Sequence, residues 1–173
     1  MKNIFMSLLI VSTAVFSSIS GTAQTSSDVV DVAISSKDHT TLVAAVKAAG
    51  LVETLKGKGP FTIFAPVNNA FAKLPSGTLD NLLKPESKAT LAKILTYHVV
   101  AGNLDAAAVI AAIKKGGGKV VVATVSGGNL TASIEKGKVK LTDENGGTAF
   151  VIATDLKASN GIIHVIDSVV LPK

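Results

Sequence analysis

The chain has 173 residues, of which 47% are hydrophobic and only 17% charged, with 17 basic side chains against 12 acidic ones for a net charge of +5. That composition builds a core, and the length suits one domain. Cysteine, arginine and tryptophan are all absent and the aromatics are only 6 Phe and 1 Tyr, which excludes disulfides, thiolate metal sites and thiol nucleophiles and leaves few of the forks and stacking rings typical of nucleic-acid recognition.

Met1–Ala23 reads as a secretory leader: Lys2 gives a positive start, Ile4 to Phe16 is mostly apolar, and Gly21-Thr22-Ala23 ends on small residues. Cleavage is expected before Gln24, leaving residues 24–27 as a short tail and 28–173 as a single domain. The apolar run is short for a stable membrane span. The exported protein is therefore expected to lie outside the cytoplasm, extracellular or periplasmic, without a membrane span.

Helical signals fill the first half. Leu42, Val46 and Ala49 share a face, Asp38 or Thr40 can cap the start, and Gly50 suits a left-handed stop with Leu51 folding back. A second helix is predicted over Pro85–Thr96, with proline in its first turn and Leu91, Ile94 and Leu95 inward. Asp105 should cap a third over Ala106–Ile113, with Lys114 and Lys115 at its negative end.

Strands fill the second half. Leu130, Ala132 and Ile134 alternate with polar residues, as do Val139 and Leu141 beyond a Lys136-Gly137 turn, which predicts a hairpin with one face buried. Asn145-Gly146-Gly147 and Asn160-Gly161 mark further turns, around a strand near Phe150–Ala153. An early strand, Phe61–Ala65, runs into Pro66. The pattern is α+β, with helices against a mostly antiparallel sheet.

Three segments carry a family resemblance: Phe61 to Phe71 (FTIFAPVNNAF), Tyr97-His98-Val99-Val100-Ala101-Gly102, and Asn160 to Asp167 (NGIIHVID) followed by Leu171-Pro172. In this order and spacing they resemble the first box, the tyrosine–histidine motif and the second box of the fasciclin (FAS1) domain, over about Asp28 to Pro172. Thr62, Phe64, Pro66, Asn68, Phe71, Gly161, His164 and Asp167 are the residues matching the two boxes. Val67 departs from the threonine often found after the proline, which moves the expected helix cap to Asn68. The resemblance implies a wedge-shaped β-sandwich with a helical layer, the two boxes being neighbouring central strands. It also implies a secreted, non-enzymatic adhesion or interaction module, with partner contact at Tyr97 and His98.

Read without the family, both faces of Ile162–Asp167 are mostly apolar, so that strand should be covered on each side. His164 is then either a ligand or proton carrier or a hydrogen-bonded core histidine. Tyr97-His98 is either a contact site or a filler of the junction between helix and sheet. Lys136, Lys138 and Lys140 around one turn form either a strip for an anionic polymer or a solvated face that discourages edge pairing.

Other chemistry finds little footing. There is no Gly-x-Ser-x-Gly elbow, and the three histidines are scattered. Asp143-Glu144-Asn145-Gly146 has the look of a calcium loop, but Leu141 replaces an oxygen ligand and no distal glutamate follows. The expectation is a monomer with no catalytic residues, cofactor or metal, binding a protein or polysaccharide of a cell surface, matrix or envelope. The rival expectation is a carrier or sensor of a small apolar ligand held between sheet and helices.

Overall fold

A polar side chain ahead of an apolar run starts the first helix. The computed structural model describes residues 27–173; the expected leader and its cleavage point lie outside the described residues. Helix α1 (Val29–Ser35) begins at Asp28, whose carboxylate accepts the N–H groups of Val30 and Asp31 at 2.9 Å each. After a 3-10 turn, Lys37–His39, helix α2 (Thr40–Ala49) ends as expected: Gly50 is left-handed at φ +71°, and the N–H of Leu51 returns to the carbonyl of Val46.

The start of α2 corrects the sequence reading, since neither Asp38 nor Thr40 caps it. Asn68, 27 residues further on, does so: its Oδ1 accepts the Thr41 N–H at 3.0 Å and the Thr40 hydroxyl at 3.1 Å, while its Nδ2 donates to the Lys37 carbonyl. Asn68 is consequently not the cap of its own helix, α4 (Asn68–Ala72), where Val67 stands in that position without a side-chain bond.

The other helices are α3 (Val52–Leu55), α5 (Thr78–Leu82), α6 (Lys88–Tyr97) and α7 (Ala106–Lys115). The helix predicted from Pro85 is split, a 3-10 turn over Pro85–Ser87 leading into α6, with Leu91, Ile94 and Leu95 buried. Asp105 caps α7 as expected, accepting the Ala108 N–H at 2.7 Å. Among the described residues no helix is long and apolar enough to cross a membrane.

The strands are β1 (Phe61–Pro66), β2 (Val99–Ala101), β3 (Lys119–Ala123), β4 (Asn129–Glu135), β5 (Lys138–Thr142), β6 (Thr148–Ala158) and β7 (Gly161–Ile166). They form one sheet in the order β2-β1-β7-β6-β5-β4-β3, antiparallel except for β1 and β7. That parallel pair is the two boxes side by side, in register from Phe61 opposite Gly161 to Pro66 opposite Ile166. Only glycine fits at the first rung, because a Cβ on Gly161 would lie 2.2 Å from the Phe61 carbonyl oxygen. The sheet curls until its ends meet: the Val125 N–H, just past β3, donates to the Val99 carbonyl of β2 at 2.8 Å. The α+β wedge is thus a single, nearly barrel-shaped sheet, with α1, α2 and α6 packed on one side and α7 against the strands of the other cluster.

Two apolar clusters share β1 and β7. Val29, Leu42, Val46, Leu91 and Leu95 of the helices pack on Ile63, Ala65 and Ile163. On the other face, Phe64 and Ile166 join Tyr97, Leu130, Leu141 and Ala149 inside the curl. Every residue from Ile162 to Ile166 is buried, as a strand apolar on both faces requires. The β4–β5 hairpin has the expected two-residue turn at Lys136-Gly137, both with positive φ. Its alternation lapses at the tip, where Ile134 is exposed.

Candidate functional site

Tyr97 closes α6 and is fully buried. Its hydroxyl donates to the Asn129 carbonyl at 2.6 Å and accepts the Glu144 N–H at 3.3 Å, which ties the helix to β4 and to the β5–β6 turn. Burial pushes the phenol pKa up. His98 is also buried; Nδ1–H donates to the Ile94 carbonyl at 2.8 Å and Nε2 accepts the Val170 N–H at 3.3 Å. These partners assign the neutral Nδ1–H tautomer. Burial pushes the imidazole pKa down to about 4.

His164 is 2% exposed and stacked on Phe64 with ring centroids 5.7 Å apart. Its Nε2–H donates to the Leu104 carbonyl at 2.7 Å, and Nδ1 accepts the Asp155 N–H at 3.4 Å. Neighbouring Thr62, fully buried, donates to the Gly102 carbonyl at 2.7 Å and accepts the Leu104 N–H at 2.9 Å. Thr62 and His164 therefore grip the same short segment after β2. Of the remaining box residues, Pro66 and Phe71 are core. Asp167 accepts the Phe150 N–H at 2.8 Å; burial opposes its ionisation, but that bond, Ser168 and the Lys73 ammonium hold its carboxyl below the usual range.

His39 was not singled out by sequence, yet it is buried, with Nδ1 2.8 Å from the Ser36 hydroxyl and Nε2 without a partner among the described residues. The same hydroxyl accepts the Asp38 N–H at 3.3 Å as the cap of the 3-10 turn, so Ser36 joins His39 to the start of that turn. Asp143 spends its carboxylate on three backbone N–H groups, those of Asn145, Gly147 and Leu171, which makes the acidic loop a turn that anchors the C-terminal segment.

The lysines of the β4–β5 turn are partly neutralised. Lys140 is paired with Glu135, Lys138 stands opposite Glu135 in the ladder, and Lys136 occupies the turn. The register adds a lysine that sequence did not place: Lys119 and Lys140 flank Ser133 on one outer face.

Two spaces bear on ligand binding. An apolar void of about 40 Å³ lies between the helices and the β1–β7 pair, lined by residues including Val29, Leu42, Val46 and Ile63. A carrier of a drug-sized apolar molecule needs roughly 300 Å³ or more. The second space is an open cleft of about 680 Å³, between the α3–β1 connection, the residues after β2 and the β6–β7 hairpin. Lys58, Pro60, Asn103, Lys157, Ser159 and Ile162 are among its lining. Sequence reasoning missed it because its walls come from three distant segments.

Comparison with known proteins agrees with this geometry. The Fasciclin domain model matches residues 37–172. The chain is 51% identical over 144 residues to Protein sll1483 of Synechocystis sp., covering 83% of this chain and 73% of that one. It is 35% identical over 153 residues to Immunogenic protein MPB70 of Mycobacterium bovis, covering 85% and 70% respectively. Among solved structures, a FAS1 domain pair from the insect cell adhesion molecule Fasciclin I superposes with a TM-score of 0.74 at 21% identity. That match covers 85% of this chain and about half (51%) of the other.

Proposed function

This chain belongs to the fasciclin domain family, and on that premise we propose that it is a secreted, non-enzymatic adhesion or interaction module. Residues 1–23 direct export, and residues 28–173 act as one monomeric domain outside the cytoplasm. Its partner is a protein or polysaccharide of a cell surface, matrix or envelope. One observation carries the reading: Tyr97, His98 and His164, the groups best suited to chemistry, are at most 2% exposed, and each is hydrogen-bonded inside. Buried polar groups satisfied in this way stabilise a scaffold, so contact with a partner falls to loops and outer faces. The kinship of fold with a cell adhesion molecule supports this as analogy.

The test is retention of envelope fractions and extracellular polymers on the immobilised protein. The expected result is a component held by the folded chain, released unaltered and not held after denaturation. Release of a chemically changed component, or retention from no fraction, would overturn the reading.

A further inference from the structure

We propose that the open cleft beside the β6–β7 hairpin binds a carboxylated or sulfated saccharide, with Lys58 and Lys157 holding the anionic groups and Asn103 and Ser159 the hydroxyls. This deepens the interaction-module reading and rests on it. At about 680 Å³ the cleft has the size of a ligand site, and among the described residues no carboxylate lines it. Lys56 on its rim is committed to Asp28 and Asp31, at 3.2 and 2.9 Å. Lys58 and Lys157 are exposed and have no ion-pair partner among the described residues.

The walls are held in place before any ligand arrives. Asn160 donates to the carbonyls of Leu55 and Gly57 and accepts the Val29 N–H, bracing the floor. A side chain on Gly59 would place its Cβ 1.9 Å from the Asn160 carbonyl oxygen, so that wall is bare backbone. Asn103 sits between Gly102 and Leu104, the two residues gripped by buried Thr62 and His164. Preorganisation of this kind lowers the ordering cost of binding.

The lining mixes amide and hydroxyl groups with the hydrocarbon of Pro60, Ala158 and Ile162, which suits a ring with C–H faces and polar edges. Nucleic acid is a poorer fit, because arginine and tryptophan are absent and the single tyrosine is buried. The other exposed cationic turn, at Lys136 and Lys138, lies away from the cleft: β5 pairs with the first residues of β6, Lys140 opposite Phe150, whereas the cleft is at the close of β6.

The protein expressed from its full sequence, labelled with ¹⁵N, is titrated with oligogalacturonate and with oligomeric dextran sulfate. Neutral dextran, inorganic phosphate and phosphatidylglycerol vesicles serve as comparisons. Either acidic oligomer is expected to shift the amides of Lys58, Gly59, Asn103, Lys157 and Ser159 and to bind more weakly as salt rises. The K58Q/K157Q double variant should weaken binding by roughly tenfold with an unchanged Tm, and K136Q/K138Q by less than about threefold, as expected for direct and long-range charges. Unchanged affinity in the double variant, shifts centred on Lys136 and Lys138, phosphate binding as tightly as the oligomers, or binding to vesicles alone would overturn the assignment. Retention of an envelope component without oligomer binding sinks the cleft alone; absence of both sinks the interaction-module reading as well.

Discussion

Acidifying the protein should destabilise it through His98 before most of its carboxylates are protonated. In the fold, Nε2 accepts the Val170 N–H and burial holds the pKa at about 4, against an ordinary value of 6.5. Between those two values the unfolded chain binds a proton that the folded chain refuses, so stability falls as pH falls across this window. The loss works out at about 2 kcal/mol between pH 7 and pH 5, rising to about 3 kcal/mol at pH 4. His39, also pushed down by burial, adds in the same direction. Urea unfolding at pH 7 and pH 5, for the wild type and for His98→Gln, isolates the term. Glutamine can donate to Ile94 and accept from Val170 but does not titrate, so the variant should lose about 2 kcal/mol less over that interval. An equal loss in both proteins, or a native His98 ring that titrates near 6.5, would refute the reasoning.

Three further substitutions probe the buried polar groups. Tyr97→Phe leaves the Asn129 carbonyl and the Glu144 N–H without their partner and should cost about 1–3 kcal/mol in urea unfolding, while Tyr97→Ala, which empties an aromatic site, should cost about 3–5 kcal/mol. Tyr97→Phe should keep the native circular dichroism and the retained partner; loss of the partner in that folded variant would make Tyr97 a contact residue. Asn68→Ala removes the cap that reaches α2 from the start of α4, at about 1 kcal/mol by the same measurement, and no change would mean that Asn68 does not cap in solution. Thr62→Val preserves shape but strands the Gly102 carbonyl and Leu104 N–H, so hydrogen exchange at Leu104 should accelerate with a stability loss of about 1–3 kcal/mol; unaltered protection there would show that Thr62 does not hold this segment.

What was legible in sequence was local or periodic. The capping of α7 by Asp105, the left-handed Gly50 and the Lys136-Gly137 turn each depend on neighbours within a few residues. The doubly apolar run of β7 likewise announced its coverage on both faces. What escaped was long-range. Asn68 looked like a local cap because its type suits one, yet its amide turns back to an earlier helix. Ile134 follows the alternation but protrudes, since no rule of period two says where the barrel ends. The Lys140–Glu135 pair crosses the Lys136-Gly137 turn, and the spacing of the lysines along the chain carries no sign of the carboxylate on the opposing strand. The cleft was beyond reach because residues near 58, 103 and 159 meet only once β1, β2 and β7 are paired.

That pairing also links the buried boxes to the surface. Thr62 stands opposite Ile162 and Phe64 opposite His164 in the parallel ladder, so the first box sets where the histidine lies. His164 and Thr62 then hold Leu104 and Gly102 from inside the sheet. Asn103, between them, is exposed at the cleft. An apolar residue at either buried position could fill the same volume, but it would leave backbone groups unpartnered and release that wall. The polar members of the boxes are thus retained for position: they convert a core, which any well-packed set of apolar side chains could supply, into one that presents a particular loop in a particular place. A surface function that depends on loops needs this conversion, and the hydrogen bonds around Asn103 are where the fold performs it.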